Sequence, residues 1–237
     1  MTAVAAELLH PPIVPWIESK NQEIWDKALH LGRKVVWKNK SVVQAPDDEV
    51  NSIYLIRQGV IKVAAASSEG LQRTLWLMGP GSILGEASLF SNRRNSHHIS
   101  AMEECVAYEF SKQVVVGEIL VRYPDLAEAL LTNLANKSYI MSTQVEESAF
   151  LSVPQRLGRF LYGLCLARNS RHLPLSHAVI AELLGLHRVT VSNTVSALKR
   201  TGLLEDHTHE IVVADINALA AFLISDESPP VPSFRTR

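Results

Sequence analysis

Short runs of β-type hydrophobic residues occupy the chain from Lys34 to about Phe110. The clearest of these runs are residues 35–37, 52–56, 60–63 and 74–77. Turn signals rich in glycine, proline and aspartate separate them, as at Gln58-Gly59 and Gly79-Pro80-Gly81. Many short strands at nearly regular spacing are typical of an antiparallel sandwich or barrel, so we expect an antiparallel β-barrel domain over residues 1–123.

The hydrophobic period becomes helical after Tyr123-Pro124-Asp125. Apolar residues then recur in steps of four, four, seven and four, at Leu126, Leu130, Leu134, Met141 and Val145. We predict one long helix over residues 124–150, which at about 25 residues is roughly 37 Å long. One small domain cannot cover such a stripe, so we expect a second copy of the chain along it. Packing against its own barrel is the alternative.

Three further helices and a small hairpin are predicted for residues 151–226. Ser152 caps a helix over residues 155–167. The second helix runs from Ser176 to Leu184, and the third from about Arg188 to Arg200. A hairpin over residues 205–213, around Thr208, follows, and the proline-rich residues 227–237 are expected to be disordered. The fold class is therefore α+β.

Ala181, Gly185 and Val191 have the spacing of a helix-turn-helix. That motif needs a small residue where its helices cross, a turn glycine with positive φ, and an apolar anchor in its second helix. The outward positions carry short polar side chains and arginine, which read base edges or bind phosphate. The predicted DNA-binding residues are Ser176, His187, Arg188, Val189, Thr190, Ser192, Asn193 and Lys199. The alternative is an ordinary helical hairpin with a solvated face.

Charge is distributed unevenly along a nearly neutral chain. The 237 residues carry a net charge of −1. Residues 154–205 hold seven lysines and arginines against two glutamates, a net +5, which leaves −6 for the remainder. A basic module on an acidic chain is typical of DNA binding by one face.

Other function classes find little support in the sequence. No apolar run approaches the roughly 20 residues of a membrane span, and no secretory signal opens the chain, so we expect a cytoplasmic protein without membrane contact. Nucleophile elbows, HExxH spacing and P-loops are absent, so we expect no enzyme. His207 and His209 fit a solvated hairpin better than a metal site, and Cys105 and Cys165 are expected to pack as small hydrophobes.

Four segments, in the right order, resemble the Crp/Fnr family of bacterial transcription regulators. They are residues 54–63, the cassette-like residues 79–90, the hinge-like residues 149–153, and residues 185–192 of the helix-turn-helix. The resemblance implies a cyclic-nucleotide-binding-like jelly roll with an effector pocket, and a homodimer joined along residues 125–149. It also implies a winged helix-turn-helix that binds a palindromic site on double-stranded DNA, with RNA polymerase as a partner.

The resemblance also bears on the effector. Gly85-Glu86-Ala87 can offer backbone N–H groups to a phosphate, and Glu86 can accept from a ribose hydroxyl. Members that bind cyclic AMP carry an Arg-Ser pair where this chain has Ser96 and His97, so cyclic AMP is disfavoured. Arg93 and Arg94 would reach the phosphate only if the loop shifted by two residues. The predicted effector-binding residues are Trp76, Gly85, Glu86, Ala87, Ser96, His97 and Ser142.

The identity of the effector stays open among several classes. A small organic molecule is favoured, and residues 189–192 resemble the halophenol-responsive branch of the family. A haem sensor with His97 or His98 as ligand is an alternative. An iron–sulfur cluster is not expected, because no cysteine precedes Cys105. A constitutive regulator without effector is the remaining reading.

The third predicted helix, from about Arg188 to Arg200, indicates which DNA sequence the protein prefers. Arg188 can grip guanine or bind a phosphate, and Val189 can touch a thymine methyl group. Asn193 stands where the family usually has an arginine. We therefore predict an A/T-rich inverted repeat with half-sites about one helical turn apart.

Overall fold

The computed structural model describes residues 16–17, 22–207 and 210–224. Contacts divide the chain into two compact units, of which one holds the described residues up to Ser142 and the other those from Thr143. The division falls inside the long helix, earlier than the predicted boundary near residue 150. The hairpin tip at Thr208 and the predicted disordered tail lie outside the described residues.

The first unit is built from nine strands in two sheets. The strands are β1 (Trp16–Ile17), β2 (Arg33–Trp37), β3 (Val42–Gln44), β4 (Ser52–Gln58), β5 (Ile61–Ala66), β6 (Gln72–Met78), β7 (Ile83–Leu84), β8 (His98–Ala101) and β9 (Cys105–Ser111). One sheet has the order β1-β6-β5-β8-β3 and the other β2-β9-β4-β7. All neighbours pair antiparallel except β1 and β6. Within the described residues this is the two-sheet form of a jelly roll rather than one closed barrel.

The nine strands of the first unit enclose its hydrophobic core. A 3₁₀ helix, Gln22–Leu31, contributes Trp25, whose ring centroid lies 5.7 Å from that of Phe110. Ile53, Leu55 and Ile83 complete this side of the core. In the turn between β3 and β4, Asp47 takes the left-handed φ of +69°, a conformation that aspartate tolerates.

Five helical segments complete this part of the chain. They are α1 (Glu86–Ser91), α2 (Lys112–Val114), a π-helical turn (Val115–Ile119), α3 (Leu120–Arg122) and the long helix α4 (Pro124–Phe150). The predicted stripe along α4 divides into two parts. Leu126 and Leu130 are buried in the core of the first unit, whereas Val145 is 63% exposed. The expectation that a second copy covers the whole stripe is therefore wrong for Leu126 and Leu130, because the chain's own core already buries them.

The second unit has the predicted order of helices and strands. Its elements are α5 (Val153–Arg168), β10 (His172–Leu173), α6 (His177–Leu184), α7 (Arg188–Arg200), β11 (Leu204–His207), β12 (Glu210–Val213) and α8 (Ile216–Ile224). Helix α5 begins two residues before the predicted start, because Ser152 and Gln155 form a capping box ahead of Val153. Strands β11 and β12 pair antiparallel and form the predicted hairpin. The predicted α+β fold class is confirmed.

The two cysteines pack as the sequence predicts. Both thiols are buried and free, and burial raises the pKa of Cys105 and of Cys165. A raised pKa keeps each side chain in its thiol form at neutral pH, which suits a small hydrophobe. Among the described helices, none is long and apolar enough to span a membrane.

Candidate functional sites: a nucleic-acid interface and a cavity

Helix α7, which we call the recognition helix, has one buried and one open side. Val191, Val195 and Leu198 are fully buried against the rest of the unit. Arg188 and Asn193 are exposed on the other side, and Val189 is 67% exposed. The open side is therefore accessible and largely polar, as a helix that binds in a nucleic-acid groove must be.

Local signals set the angle between α6 and the recognition helix. Ser176 caps α6 by accepting a hydrogen bond from the Val179 backbone N–H at 3.3 Å. Gly185 takes the left-handed φ of +63° that ends the helix. Arg156 Nη2 donates to the Leu184 carbonyl oxygen at 2.6 Å, which ties the end of α6 to α5. These contacts confirm the predicted helix-turn-helix geometry.

Positive charge is concentrated on the open side of the recognition helix. Arg188, Lys199 and Arg200 are all exposed there. Other basic residues of the segment have partners inside the unit, since Arg159 Nε donates to Glu147 Oε1 at 2.9 Å and Arg171 Nη1 donates to the Ala214 carbonyl at 2.6 Å. Three of the seven basic residues of this segment are thus exposed on one helix.

The hydroxyl groups of the recognition helix have different partners. Thr194 donates to the Thr190 carbonyl at 2.8 Å, and Ser196 donates to the Ser192 carbonyl at 2.9 Å. Ser192 Oγ instead lies 2.9 Å from Nδ1 of His177, the first residue of α6. His177 was not among the predicted DNA-binding residues, because no local spacing rule pairs it with a serine fifteen residues later. His187 precedes the recognition helix with an exposed side chain that makes no capping bond.

The first unit contains a cavity of about 600 Å³ that brings together five of the predicted effector residues. These five are Trp76, Gly85, Ala87, Ser96 and His97. Val63, Leu84 and Ile99 add apolar surface, and Arg93, Arg94 and Lys137 add positive charge. Glu86 and Ser142 are not part of the lining, so the structure does not bring them to the same surface.

Gly85 shapes the cavity wall at the start of α1. Its φ is +96°, in the left-handed region. A Cβ atom at this position would lie 2.7 Å from the Ser52 carbonyl oxygen. Only glycine combines that conformation with so close an approach of two backbone segments.

A buried ion pair joins α1 to the long helix. Glu86 is fully buried, and its Oε1 accepts from Lys137 Nζ at 2.5 Å and from Asn133 Nδ2 at 3.1 Å. Lys137 Nζ also donates to the Ile83 carbonyl at 2.8 Å. The carboxylate of Glu86, for which the sequence suggested a ribose-binding role, thus accepts hydrogen bonds from two donors on α4 in this structure.

Lys137 was not predicted as a site residue, although the helical pattern contains an indication of its burial. The predicted stripe jumps seven residues from Leu134 to Met141, and Lys137 lies in that gap. A lysine in the apolar stripe of a helix is a candidate for burial beside a carboxylate. Its partner Glu86 is 51 residues away, so only the folded chain identifies it.

The ring of Trp76 lies beside the ammonium of Lys137. Lys137 Nζ lies 5.7 Å from the centroid of the Trp76 ring, within the range of a cation–π contact. The His97 ring packs edge-on to Trp76 with centroids 6.0 Å apart. Burial lowers the pKa of Lys137, although the attraction of Glu86 opposes this, and burial also lowers the pKa of His97.

The remaining predicted ligands occupy the rim of the cavity or lie outside it. Arg94 donates to the Asp47 carbonyl and to Glu49 Oε1, both at 2.7 Å. Arg93 is exposed, and both arginines are among the residues that line the cavity. His98 is exposed on β8 and does not line the cavity. Within the described part of the chain, no group of three metal-ligating side chains occurs.

Comparison with known proteins gives two matches that follow the division into units. Residues 34–120 match the cyclic nucleotide-binding domain, and residues 155–222 match the Crp-like helix-turn-helix domain. The chain belongs to the Crp/Fnr family of transcription regulators. This Crp/Fnr protein is accordingly a DNA-binding regulator and not an enzyme.

Relatives and a solved structure support this assignment along most of the chain. The global nitrogen regulator of Synechococcus elongatus is 27% identical over 183 residues, covering 74% of this chain and 82% of the relative. The cAMP-activated global transcriptional regulator CRP of Haemophilus influenzae is 25% identical over 181 residues, covering 73% and 80%. The structure of a CooA mutant from Carboxydothermus hydrogenoformans has a TM-score of 0.74 at 21% identity, covering 87% and 97%, and shows the same fold.

Proposed function

We propose that this Crp/Fnr protein is a homodimer that binds an A/T-rich inverted repeat, and that a small organic anion in the cavity controls this binding. Through promoter sites of this kind it would act on RNA polymerase. The exposed residues on the open side of the recognition helix support the proposed DNA binding. The residues that line the cavity, and their positive charge, support the proposed effector.

The exposed residues of the recognition helix suit a site rich in A/T pairs. Arg188, in the first turn, has the reach to bind guanine or a phosphate. Val189 offers an apolar side chain to thymine methyl groups, and Asn193 offers an amide that suits adenine. Two such helices related by a twofold axis would read half-sites about one helical turn apart.

Replacing Arg188 tests the reading of bases. Arg188→Ala is expected to cost roughly 1–3 kcal/mol of affinity for a site selected from random DNA, with little change on scrambled DNA. Arg168→Ala is the matched control, because Arg168 is an exposed arginine of the same basic segment that lies outside the recognition helix. An equal loss on selected and scrambled DNA would assign Arg188 to a phosphate. A wild-type protein that does not distinguish the two DNAs would contradict the proposal.

Exposed apolar side chains on α4 support the dimer. Leu131 is 67% and Val145 is 63% exposed, and the two are two heptads apart on one face of the helix. Ser138, halfway between them, is small and exposed. Large apolar residues at heptad spacing on an open helix face are the pattern of a helix pair, so we place the dimer contact along this face.

The cavity is suited to an anion with an apolar or aromatic body. Its lining holds three basic residues and no acidic one. Trp76 presents a ring to the same space, and its Nε1–H is buried without a hydrogen-bond partner. A buried donor beside a cationic group favours an incoming acceptor that carries negative charge. Because Lys137 lies on α4 and Glu86 on α1, an anion that binds Lys137 would alter the contact between these two helices.

A pair of fluorescent probes tests the anion preference. 8-Anilinonaphthalene-1-sulfonate and the neutral N-phenyl-1-naphthylamine share an aromatic body and differ in the sulfonate. We expect the double variant Glu86→Gln/Lys137→Met, which leaves no unpaired charge, to lower the affinity for the sulfonate about tenfold and to leave the neutral probe unchanged. Equal effects on both probes would contradict an anion site at Lys137.

Native mass spectrometry with a visible absorption scan separates the effector classes. A dimer with additional mass and no Soret band supports a retained organic effector. A Soret band would instead identify haem and would make His97 the first ligand to replace. A monomer would contradict the dimer contact proposed for α4.

A further inference from the structure

We infer that His177 is a positioning residue for DNA recognition, which holds the Ser192 hydroxyl and fixes the hydrogen-bonding role that Ser192 offers to a base. This inference rests on the proposed DNA binding by the recognition helix. It adds a residue of α6, outside the recognition helix, to the groups that determine sequence preference.

The geometry connects the two helices at the open side of the motif. His177 is the first residue of α6, and its Nδ1 lies 2.9 Å from Ser192 Oγ on the recognition helix. Both side chains are half-buried. Ser192 follows Arg188 by four residues, so the two lie on the same side of the helix, one turn apart. The contact therefore lies beside the residues that face a DNA groove.

The environment of Ser192 differs from that of its neighbours. Serine and threonine within a helix often donate to the carbonyl four residues earlier, and Thr194 and Ser196 do so here. Ser192 Oγ has the imidazole of His177 as its partner instead. Its rotamer is thus set by a side chain from another helix, and the state of this partner decides whether the hydroxyl proton is already used or is available to an outside group.

The chemistry of imidazole determines which function is left. A neutral histidine has one nitrogen that donates and one that accepts. If Nδ1 accepts the Ser192 proton, the serine oxygen presents lone pairs, which suit the amino groups of adenine or cytosine. If Nδ1–H donates to Ser192, the hydroxyl proton is available to a base acceptor such as thymine O4 or guanine O6. In the first state Ser192 can only accept from a base, whereas in the second it can also donate to one.

Three variants of the full chain separate positioning from other roles. His177→Asn keeps a polar atom near the place of Nδ1, His177→Leu removes it, and Ser192→Ala removes the hydroxyl. A half-site is selected from random DNA with the wild type, and each variant is then measured against every single-base change in it. We expect His177→Leu and Ser192→Ala to lose discrimination at the same base pair, by about threefold to tenfold, and His177→Asn to restore most of it.

The double variant and the salt dependence complete the test. His177→Leu/Ser192→Ala should lose no more discrimination than either single change, because the two residues act as one unit. The slope of log affinity against log salt should stay at its wild-type value. Equal weakening on all sequences, with a slope smaller by about one, would make His177 a phosphate contact and overturn the inference. A lower melting temperature with unchanged discrimination would make it purely structural and overturn it too.

The outcome also distinguishes this inference from the function on which it rests. If wild-type protein selects a sequence and Arg188→Ala weakens it, the proposed DNA binding holds whatever His177 does. If wild-type protein selects no sequence, the proposed function and the inference fail together.

Discussion

The buried pair of Glu86 and Lys137 makes a quantitative prediction about stability. Glu86 is fully buried, and the Lys137 side chain is 9% exposed. Removing one partner of such a pair costs about 3–5 kcal/mol, because the other charge stays buried without compensation. Lys137→Met should reach this range, since the buried Glu86 carboxylate loses its cationic partner and the neutral amide of Asn133 does not compensate its charge.

The reverse replacement should cost less. Glu86→Gln leaves an amide oxygen for the ammonium, and the Ile83 carbonyl remains in place as a second acceptor. The lowered pKa of Lys137 also makes loss of its proton easier than for an exposed lysine. The double variant Glu86→Gln/Lys137→Met should recover most of the loss, to within about 1–2 kcal/mol of wild type, because no buried charge remains.

Tryptophan fluorescence during urea unfolding is the suitable assay. All four tryptophans, at positions 16, 25, 37 and 76, belong to the first unit, so the signal reports the unit that holds the pair. A double-mutant cycle then gives the coupling between the two residues directly. If the two single losses simply add in the double variant, the residues are not coupled and our account of the pair is wrong.

Three further predictions concern backbone strain, assembly and pH. Gly85→Ala should destabilise the first unit by about 1–3 kcal/mol in urea unfolding, because φ is +96° and the new Cβ would meet a backbone oxygen of β4. The control is Gly117→Ala, which should leave the free energy of unfolding unchanged because a Cβ there meets nothing within 4 Å. Val145→Asp should shift the protein to monomer in analytical ultracentrifugation, whereas Val121→Asp, at a valine that is 70% exposed outside α4, should leave the dimer intact. Burial lowers the pKa of Lys137 below its ordinary 10.5, so just below pH 10.5 the unfolded chain binds more protons than the folded chain, and this residue makes the free energy of unfolding rise with pH there. In urea unfolding measured at several pH values up to 10.5, Lys137→Met should lack this rise, and a profile identical to that of the wild type would contradict the prediction.

The helix-turn-helix was predictable in detail because its signals are local. The cap at Ser176, the turn at Gly185 and the apolar positions of the recognition helix all act within a few residues. They therefore gave the observed bounds of α6 and α7. The same holds for the hairpin after them, where antiparallel pairing follows a short turn.

The groups that define the cavity were only partly predictable, because they meet through the fold. Trp76, Gly85 and His97 were singled out because they lie within or close to the cassette-like residues 79–90, and in the structure they line one cavity. Lys137 was not found, since its burial depends on a carboxylate 51 residues earlier. The contact of His177 with Ser192 likewise depends on how two helices cross, which spacing alone does not specify.

Selection of DNA from a random pool by the purified full-length protein tests the central claim most directly. We predict enrichment of an A/T-rich inverted repeat whose half-sites lie about one helical turn apart, because two recognition helices related by a twofold axis read it. Enrichment of a single or directly repeated half-site would contradict the dimer. No enrichment at all would contradict sequence-specific binding by the open side of α7.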